Sequence, residues 1–518
     1  MGVNETRRVG ATSPDVSHAG PSPGIVSRFI ALIEALMAHP QPATPLVLPD
    51  GEIRAVWRAP ARERWSWALY DFANTIWSMN IVSLYFATWL VVDLGASNAS
   101  YSWATAISSL LMAVSVPVLG AISDGRRRRK PWVVWFTLMS CVATAAIGFI
   151  GAYGGAPLYG EGVVGGTARP ETYHVGGATL FFIGLAFTLA NYGYQAAQPF
   201  YNAMLPELVP AEERGRMSGI GTAVGYVGTI VGLLLVAPFF NGQLPFLGAL
   251  PERLLAALHA ILPTTSSGGR VATFVPTAAL FLVFSLPLVL FCRDHAPAPR
   301  GTRVPWREAF ADVARTLREA RQHPGALRFI VTTFLYQDAV GTIAAVLGLY
   351  AIEAVRFTQA EVNTLYILLT VPAVVGSYVC GRLVDRFGPK RTLVSVLSAW
   401  VVLLIVMMAL PGQTAFWIIG AAIGFIFGGV PTAERPMLLS LIPDREAGRY
   451  FSLLLLSSRA ASFLGPLVWA YTVDGLRPSL GTGFAYRAAV GTVMVFFAVS
   501  VLMLRGVPDK RERSLARA

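Results

Sequence analysis

Charged residues within long apolar stretches are the side chains whose chemistry is most informative in this sequence. Asp338 and Arg459 lie about eleven and about ten residues into the apolar stretches that begin near 327 and 449. A charge at the centre of a bilayer costs about 2.5–3.5 kcal/mol on insertion scales, so both groups should face the protein interior. At one depth they can bind the ammonium and carboxylate of a zwitterion, or they can pair with each other.

Two further carboxylates lie closer to the ends of apolar stretches. Asp71 follows the start of the first stretch, and Glu434 lies beside Arg435 towards the end of the tenth. A carboxylate in a partly dehydrated cavity binds a proton more readily than in water, which proton coupling requires. We predict coupling or gating roles for Asp71 and Glu434. Alternatively, Asp71 stabilises its helix start through the macrodipole, and Glu434 pairs with Arg435.

Uncharged polar residues mark a third set of candidates. In the segment NYGYQAAQPFYN (191–202), polar side chains recur near helical spacing, and Asn74 lies about one turn after Asp71. Amides and phenols can hydrogen-bond a polar organic substrate or join neighbouring helices. The substrate-binding candidates are therefore Asn74, Asn191, Tyr194, Gln195, Gln198, Asp338 and Arg459.

Twelve apolar stretches must position these side chains, each near the roughly 20 residues with which a helix crosses a bilayer. Their limits are 67–91, 101–122, 132–154, 177–203, 217–240, 272–291, 327–351, 361–382, 392–410, 413–440, 449–471 and 484–505. The chain is 54% hydrophobic and 14% charged, whereas about 25% of residues are charged in soluble proteins. The sequence predicts an all-α membrane protein.

The basic residues predict the orientation of these spans. Of 41 lysines and arginines, six lie in the odd-numbered connections and two within spans, and the remainder lie in the even-numbered connections and the tails. Because cytoplasmic loops carry the excess of basic residues, we expect both termini in the cytoplasm. The net charge of +12 therefore reflects topology, and no nucleic acid is expected as a partner.

Paired loop motifs indicate an internal repeat. GAISDGRRRRKP (120–131) follows the second stretch, and GRLVDRFGPKRT (381–392) follows the eighth. VPAEERGRMSG (209–219) and IPDREAGRYFS (442–452) follow the fourth and tenth, and LYDFANTI (69–76) is echoed by LYQDAVGTI in the seventh. Three echoes in one order predict two six-helix halves, a common origin of transporter folds.

The loop GRLVDRFGPKRT resembles the signature of the major facilitator superfamily. WSWALYDFANT (65–75) and YNAMLPELVPAEERGRMSGIGTAVGYVG (201–228) narrow the resemblance to its vacuole-effluxer-like branch, related to autophagy-associated amino-acid exporters. The similarity covers roughly 62–505. It implies a major facilitator fold with twelve transmembrane helices in two pseudo-symmetric halves, and alternating-access transport of a small polar solute, with amino-acid efflux and proton coupling as expectations.

The same resemblance implies a gating role for the acidic residue of each repeated loop. A carboxylate at one helix end can accept bonds from arginines and from the free N–H groups of another helix. Alternatively, the basic residues only anchor the protein to the membrane surface. The gating candidates are Asp124, Arg126, Arg129, Asp385, Arg386, Lys390 and Arg391.

These features divide the chain into five segments. They are a cytoplasmic tail at 1–64 with a possible interfacial helix at 24–38, helix bundles at 65–292 and 327–505, a central loop at 293–326, and a tail at 506–518. The preference for arginine over lysine suggests a bacterial plasma membrane, whereas the resemblance to vacuolar exporters leaves an internal membrane open.

Other classes of function fit the sequence less well than a transporter. No P-loop, GxSxG, HExxH or paired CxxC motif occurs, so neither an enzyme nor a metal or cofactor site is expected. The expected partners are a small-molecule substrate, membrane lipids, and protons or sodium. A sugar-cation symporter remains the nearer alternative because the YDFAN segment also resembles that group, and a non-transporting receptor or channel is the more distant one.

Overall fold

The computed structural model describes most of the chain. The described residues are 45–47, 53–55, 58–94, 96, 98–153, 176–244, 248–265, 268–295, 324–357, 359–410, 412–461 and 464–508. They belong to one compact unit, Pro42–Ala518. The predicted interfacial helix at 24–38, the loop at 154–175 and most of the predicted central loop lie outside the described residues.

Long helices make up most of the described chain. They are α1 (Ala61–Trp77), α2 (Asn98–Arg126), α3 (Lys130–Tyr153), α4 (Gly177–Ala203), α5 (Arg214–Asn241), α6 (Phe274–Phe291), α7 (Pro324–Glu353), α8 (Gln359–Phe387), α9 (Pro389–Ala409), α10 (Gln413–Phe427), α11 (Gly429–Leu441), α12 (Ala447–Ala461), α13 (Leu464–Leu480) and α14 (Thr482–Arg505). Ser78–Tyr85, Phe86–Thr88 and Trp89–Asp93 continue α1, with π-helical turns in the first and last of these segments.

Shorter elements lie between the long helices. They are the helices Leu205–Leu208 and Glu252–Ile261, the 3₁₀ turns Ala211–Glu213, Pro263–Thr265, Val271–Thr273 and Asp444–Glu446, and two antiparallel hairpins. The first hairpin pairs β1 (Pro45–Val47) with β2 (Ile53–Ala55), with Pro45 opposite Ala55. The second pairs β3 (Gln243–Leu244) with β4 (Gly248–Ala249).

The sequence explains the sharp boundary between α8 and α9. Gly388 has φ of 91°, a backbone conformation that strains any residue with a side chain. Pro389 then occupies the first position of α9, where its missing N–H leaves no helical bond unmade. This Gly-Pro pair places Lys390 and Arg391 in the first turn of α9.

Nine helical segments of the described residues are long and apolar enough to cross a membrane, with α10 and α11 counted together as Gln413–Leu441. They correspond to all the predicted spans except the first, fourth and eleventh. The fourth, α4, begins at Gly177 and ends at Ala203 as predicted, but polar residues from Asn191 onward lower its hydropathy. The eleventh span is represented by α12 and α13, which are assigned separately.

The distribution of apolar residues suits a lipid environment. Large apolar side chains lie on the outside of the bundle, including Trp103, Leu110 and Val142, which are 68%, 65% and 69% exposed. Inside, a hydroxyl group satisfies the donor of one buried tryptophan: Trp77 Nε1 donates to Thr144 Oγ1 at 2.8 Å. Water is absent from a bilayer core, so such internal bonds are needed wherever a polar group is buried.

Small residues let α5 approach α8 closely. A Cβ atom added to Gly219 would lie 2.6 Å from the Ser377 carbonyl oxygen and 2.9 Å from the Gly381 Cα atom. A similar contact joins α2 to α12, because a Cβ on Gly120 would lie 3.0 Å from the Gly448 carbonyl oxygen. These two contacts bring the halves together at one end of the bundle, called here the basic face, which carries Arg126–Lys130 and Lys390–Arg391.

Candidate functional site

A cavity of about 540 Å³ lies between the two halves of the bundle. Its wall is formed by α1, α4 and α5 from one half and by α7, α10, α11 and α12 from the other. The charged and amide side chains that line it are Asp71, Asn74, Gln198, Asn202, Gln337, Glu434 and Arg435. The cavity is therefore polar on both sides and has the size of a small-molecule site.

Asp71 and Arg435 form an ion pair across this cavity wall. The Arg435 guanidinium donates to Asp71 Oδ2 at 3.0 Å and to Oδ1 at 3.4 Å, with 11% and 8% of the two side chains exposed. The second guanidinium nitrogen lies 3.5 Å from the Thr222 hydroxyl. The sequence also allowed a local pair between Glu434 and Arg435. In the structure, Arg435 of α11 instead pairs with Asp71 of α1.

Two aromatic rings hold Arg435 in place. Its guanidinium carbon lies 5.6 Å from the ring centroid of Trp67 and 5.7 Å from that of Tyr201, within the range of a cation–π contact. The two rings stack at 4.5 Å, and each residue donates to the backbone carbonyl of the other at 3.0 Å. The cation therefore rests against a rigid support made by α1 and α4.

Glu434 forms its contacts on the opposite side of the cavity. Its Oε2 atom accepts a hydrogen bond from the Tyr336 hydroxyl at 3.0 Å and another from Gln337 Nε2 at 2.5 Å. Both donors belong to α7, in the same half as Glu434. Adjacent residues of α11 thus point to different halves, and the cavity contains one cation between two carboxylates.

The predicted substrate-binding residues separate into two groups. Asn74, Tyr194 and Gln198 line the cavity. Asn191 and Gln195 are buried and bond within the N-terminal half: Asn191 Nδ2 donates to Ser108 Oγ at 2.7 Å, and Gln195 Nε2 donates to Asn191 Oδ1 at 2.9 Å. The polar face of α4 therefore both lines the cavity and joins α4 to α2.

Asp338 lies beside the cavity without lining it. Its neighbours Gln337 and Gly341 face the cavity, whereas Asp338 packs against the first residues of α13, where a Cβ on Gly465 would lie 3.0 Å from Oδ2. The residue is 1% exposed, and the backbone N–H of Gly465 is the polar group that faces its carboxylate. Arg459 belongs to α12, but its side chain lies outside the description.

The first gating candidate, Asp124, joins the two halves at the basic face. It lies near the end of α2 and accepts the backbone N–H groups of Gly448 and Arg449 at 2.9 and 2.8 Å. These groups belong to the first turn of α12, where N–H groups have no helical partner. The contact has the geometry that the sequence motif implies, and we call it the Asp124 latch.

The second gating candidate, Asp385, forms the matching contact. Near the end of α8, it accepts the backbone N–H groups of Gly215 and Arg216 at 2.8 and 2.9 Å. These belong to the first turn of α5 in the other half, and we call this contact the Asp385 latch. Both latches cross between the halves in opposite directions, so together they join the two halves at the basic face.

Arg129 extends the Asp124 latch. Its guanidinium donates to the carbonyl oxygens of Ala203 and Asp444 at 2.6 and 2.9 Å, and to Glu207 Oε1 at 2.7 Å. Its distance to Asp124 is 3.6 Å. A buried guanidinium thus ties α2, α4 and the loop before α12 together.

A histidine continues this network on the basic face. His295 Nε2 lies 2.8 Å from Glu63 Oε2, and its backbone N–H donates to Glu207 at 3.3 Å. The hydrogen bond that the protonated imidazole donates to Glu63 raises the pKa of His295 above its ordinary value of 6.5. Burial raises the pKa of Glu207, against the lowering effect of the Arg129 charge. The network links the start of α1 to the end of α6.

The remaining gating candidates lie at the surface of the basic face. Arg126 and Arg391 are exposed, and the Arg386 guanidinium lies 5.2 Å from the ring centroid of Phe387. Lys390 donates to the Arg505 carbonyl oxygen at 3.3 Å, which ties α9 to the end of α14. Of the basic candidates, Arg129 is the one buried between elements of both halves.

Several residues of the site were not singled out by their sequence pattern. Thr222 and Tyr226 of α5 and Gln337 of α7 line the cavity, and Glu63 and His295 form the basic-face network. The echo of LYDFANTI in LYQDAVGTI does point to Gln337, because it shares the motif of Asp71. Nothing comparable marks His295.

A comparison with known protein families identifies the family to which the chain belongs. The family model described as vacuole effluxer Atg22 like matches residues 95–517. The chain belongs to this family. The resemblance predicted from WSWALYDFANT and the following segments is thereby confirmed.

Several known proteins are similar to half of the chain or more. The MFS-type transporter YxiO of Bacillus subtilis (strain 168) is 23% identical over 462 residues, covering 87% of this chain and 96% of its own. Autophagy-related protein 22 of Eremothecium gossypii is 22% identical over 66% of this chain and 70% of its own. The multidrug resistance protein MdtG of Rahnella sp. is 27% identical over 50% and 58%.

Solved structures confirm the predicted fold class. The major facilitator transporter FucP in its outward conformation superposes with a TM-score of 0.62 at 15% identity, covering 86% of this chain and 98% of its own. A bacterial homologue of the iron transporter ferroportin, in an outward-facing state, gives a TM-score of 0.57 at 14% identity. This Atg22-like protein is therefore a multi-pass membrane transporter with the major facilitator fold, and it is not an enzyme.

Proposed function

We propose that this Atg22-like transporter moves a small zwitterionic solute, such as an amino acid, through the cavity between its two halves. The observation that carries the proposal is the placement of Arg435 between Asp71 and Glu434 in the cavity wall. A substrate carboxylate can take the place of Asp71 at the guanidinium, and the substrate ammonium can bind the carboxylate released. The uncharged side chains Asn74, Tyr194 and Gln198 supply further hydrogen bonds.

The charge balance of the cavity favours coupling to a proton. Asp71 and Glu434 contribute two negative charges and Arg435 one positive charge. A bound zwitterion adds no net charge, so the closed cavity would keep one negative charge in a region of low dielectric constant. A proton on one carboxylate removes that charge. We infer that the substrate and a proton occupy the cavity together, with Glu434 and Asp71 as the coupling residues.

Efflux is the proposed direction of transport. Its support is the description of the matching family as vacuole effluxer and the name of MdtG, a multidrug resistance protein. We further propose a bacterial plasma membrane with both termini in the cytoplasm, because the basic face then lies on the side where positive loops are retained. The latches would close the cytoplasmic side in the structure described here.

Ligand-dependent thermal unfolding of the purified protein tests the substrate class. A ligand that binds the folded state raises the midpoint of unfolding by mass action. We expect amino acids to raise it and sugars to leave it unchanged. The Arg435→Lys variant keeps the charge but loses the bidentate geometry. We therefore expect it to need at least a tenfold higher amino-acid concentration for the same rise in the unfolding midpoint.

A matched variant and a second assay complete this test. Arg477→Lys alters an exposed arginine of α13 and should respond as the wild type does. Efflux of a labelled amino acid from proteoliposomes, with and without a pH gradient, tests coupling and direction. If sugars stabilise the protein and Arg435→Lys leaves their effect unchanged, the sugar-cation symporter replaces the amino-acid proposal, because amide and phenol side chains of the cavity also suit hydroxyl groups.

A further inference from the structure

A second pocket, of about 230 Å³, lies at the basic face outside the central cavity. It opens between the start of α1 and the start of α5. Arg58, Arg64 and Arg216 supply its positive charge, and Glu213 is the acidic residue among its lining side chains. None of these residues lines the cavity proposed for the substrate, so the pocket requires an explanation of its own.

The positive charge of this pocket is not neutralised by the described residues. Glu213 pairs with Arg58. Neither Arg64 nor Arg216 forms an ion pair with an acidic residue of the described ranges, and the buried Nε atom of Arg64 has no hydrogen-bond partner there. Arg58 and Arg216 also lie close enough to Arg64 to repel its charge. An anion in the pocket would remove this repulsion and satisfy the buried donor.

The rest of the wall is apolar and lies at the end of the bundle where α1 and α5 begin. Trp65 is 54% exposed at the start of α1, and Val209, Met217 and Ile220 complete the lining. Tryptophan is enriched where the hydrocarbon meets the headgroups of a bilayer. A free inorganic anion gains nothing from apolar side chains, whereas a phospholipid presents its phosphate beside its glycerol and acyl chains. Basic pockets on the cytoplasmic side of membrane proteins bind anionic lipids in this manner.

The pocket also shares a helix turn with a latch. The backbone N–H groups of Gly215 and Arg216 donate to Asp385, while the Arg216 side chain belongs to the pocket. A phosphate held by Arg216 and Arg64 would fix the start of α5 against α1. The donors that Asp385 requires would then be held in place.

We propose that this pocket binds the phosphate of an anionic phospholipid, and that the bound lipid stabilises the state in which the basic face is closed. The phosphate accepts hydrogen bonds from Arg64 and Arg216, and the acyl chains lie against Trp65 and Ile220. The inference does not depend on the identity of the transported solute.

Reconstitution of the full chain into lipid nanodiscs tests the proposal. Thermal unfolding is compared between discs of phosphatidylcholine and discs that also contain phosphatidylglycerol. We expect phosphatidylglycerol to raise the unfolding midpoint of the wild type. In the Arg64→Gln/Arg216→Gln variant, the same lipid should raise the midpoint by half as much or less. Because neither arginine has an acidic partner in the described structure and the two charges repel each other, that variant should be at least as stable as the wild type in phosphatidylcholine alone.

Two controls make the outcome decisive. The Arg127→Gln/Arg128→Gln variant removes the same charge from exposed positions of the basic face and should keep the full lipid effect. Arg64→Lys/Arg216→Lys, which keeps the charge, should retain most of it. An equal loss in the Arg127 and Arg128 variant would show general surface attraction and overturn the proposal. Inorganic phosphate reproducing the stabilisation in phosphatidylcholine would overturn it as well, because the site would then take a free anion.

Discussion

Asp71 and Arg435 pair at 3.0 Å although they lie in different halves of the protein. Asp71 belongs to α1, and Arg435 belongs to α11. The pair therefore exists only when the halves are correctly assembled around the cavity. Both side chains are mostly buried, so each depends on the other for compensation of its charge.

Removing one member of this pair should destabilise the protein more than removing both. A buried charge left without its partner costs about 3–5 kcal/mol, and the polar lining of the cavity should place the loss near the lower bound. We expect Asp71→Asn and Arg435→Gln each to lower the unfolding midpoint, and the double variant to recover most of the loss. A double-mutant cycle in chemical unfolding measures the coupling. Additive losses would show that the two charges are independent.

Loss of either latch should open the basic face. Asp124 and Asp385 each accept two backbone N–H groups, and a hydrogen bond to a charged group contributes about 1.5–3 kcal/mol. In Asp124→Asn and Asp385→Asn, a cysteine introduced at Ala344 in the cavity should react at least tenfold faster with a maleimide that reaches it from the basic face.

The design of this accessibility measurement uses features of the chain itself. The native cysteines Cys141, Cys292 and Cys380 are buried, so the background reaction should be low. Asp474→Asn alters an exposed aspartate of α13 and serves as the matched control. Unchanged reaction rates in both latch variants would contradict a gating role for the two aspartates.

Local motifs made the latches predictable, whereas the contacts of the cavity were not. The first glycine and the aspartate of GRLVDRFGPKRT, Gly381 and Asp385, lie in one short segment near the end of α8. This segment alone is therefore enough to identify the latch aspartate. The Asp71–Arg435 pair depends on how two helices from different halves are rotated and placed. No sequence pattern contains that information, and a local Glu434–Arg435 pair remained equally reasonable.

Helix rotation also explains the position of Asp338. Each residue turns an α-helix by about 100°, because one turn contains 3.6 residues. Counting along the span can therefore give the correct depth but the wrong side of the helix. Asp338 was predicted to face the cavity, whereas its neighbour Gln337 does so. Depth can be counted along a span, but the direction of a side chain is set by packing against α11, α12 and α13.

Neutralising Asp338 should leave the protein as stable as the wild type or slightly more stable. Its carboxylate forms no ion pair and no side-chain hydrogen bond with the described residues, so an ionised form would be costly in this buried place. Asp338→Asn removes that cost at nearly constant volume. Thermal unfolding should show no loss, in contrast to Asp71→Asn. A loss as large as that of Asp71→Asn would indicate that Asp338 is charged and paired.

Close helix packing makes a further prediction at two glycines. A Cβ on Gly228 would lie 2.5 Å from the Phe72 backbone carbonyl oxygen, so Gly228→Ala must separate α1 from α5. Overpacking of this kind costs about 1–3 kcal/mol. Gly184 of α4 has no atom within 4 Å of the added Cβ, so Gly184→Ala should stabilise the helix by about 0.4–1 kcal/mol. Chemical unfolding of both variants checks the contrast.

The His295–Glu63 contact should make stability dependent on pH. The pKa of His295 is raised by its bond to Glu63, so the contact stabilises the folded protein fully below pH 6.5 and is lost as the pH rises through the raised pKa. The charge of Glu207 raises the pKa of this imidazole further, and the charge of Arg293 lowers it. Because the pKa of Glu207 is also raised, its ionisation likewise lowers the free energy of unfolding as the pH rises from 4.5.

The two contributions can be separated by measuring unfolding midpoints above pH 6.5. We expect the wild type to lose stability with increasing pH relative to His295→Gln, which lacks the titrating ring. His259→Gln is the matched control, because His259 bonds the Thr265 hydroxyl and has no carboxylate partner among the described contacts. Parallel pH profiles for the wild type and His295→Gln would show that the protonated imidazole does not stabilise the closed basic face.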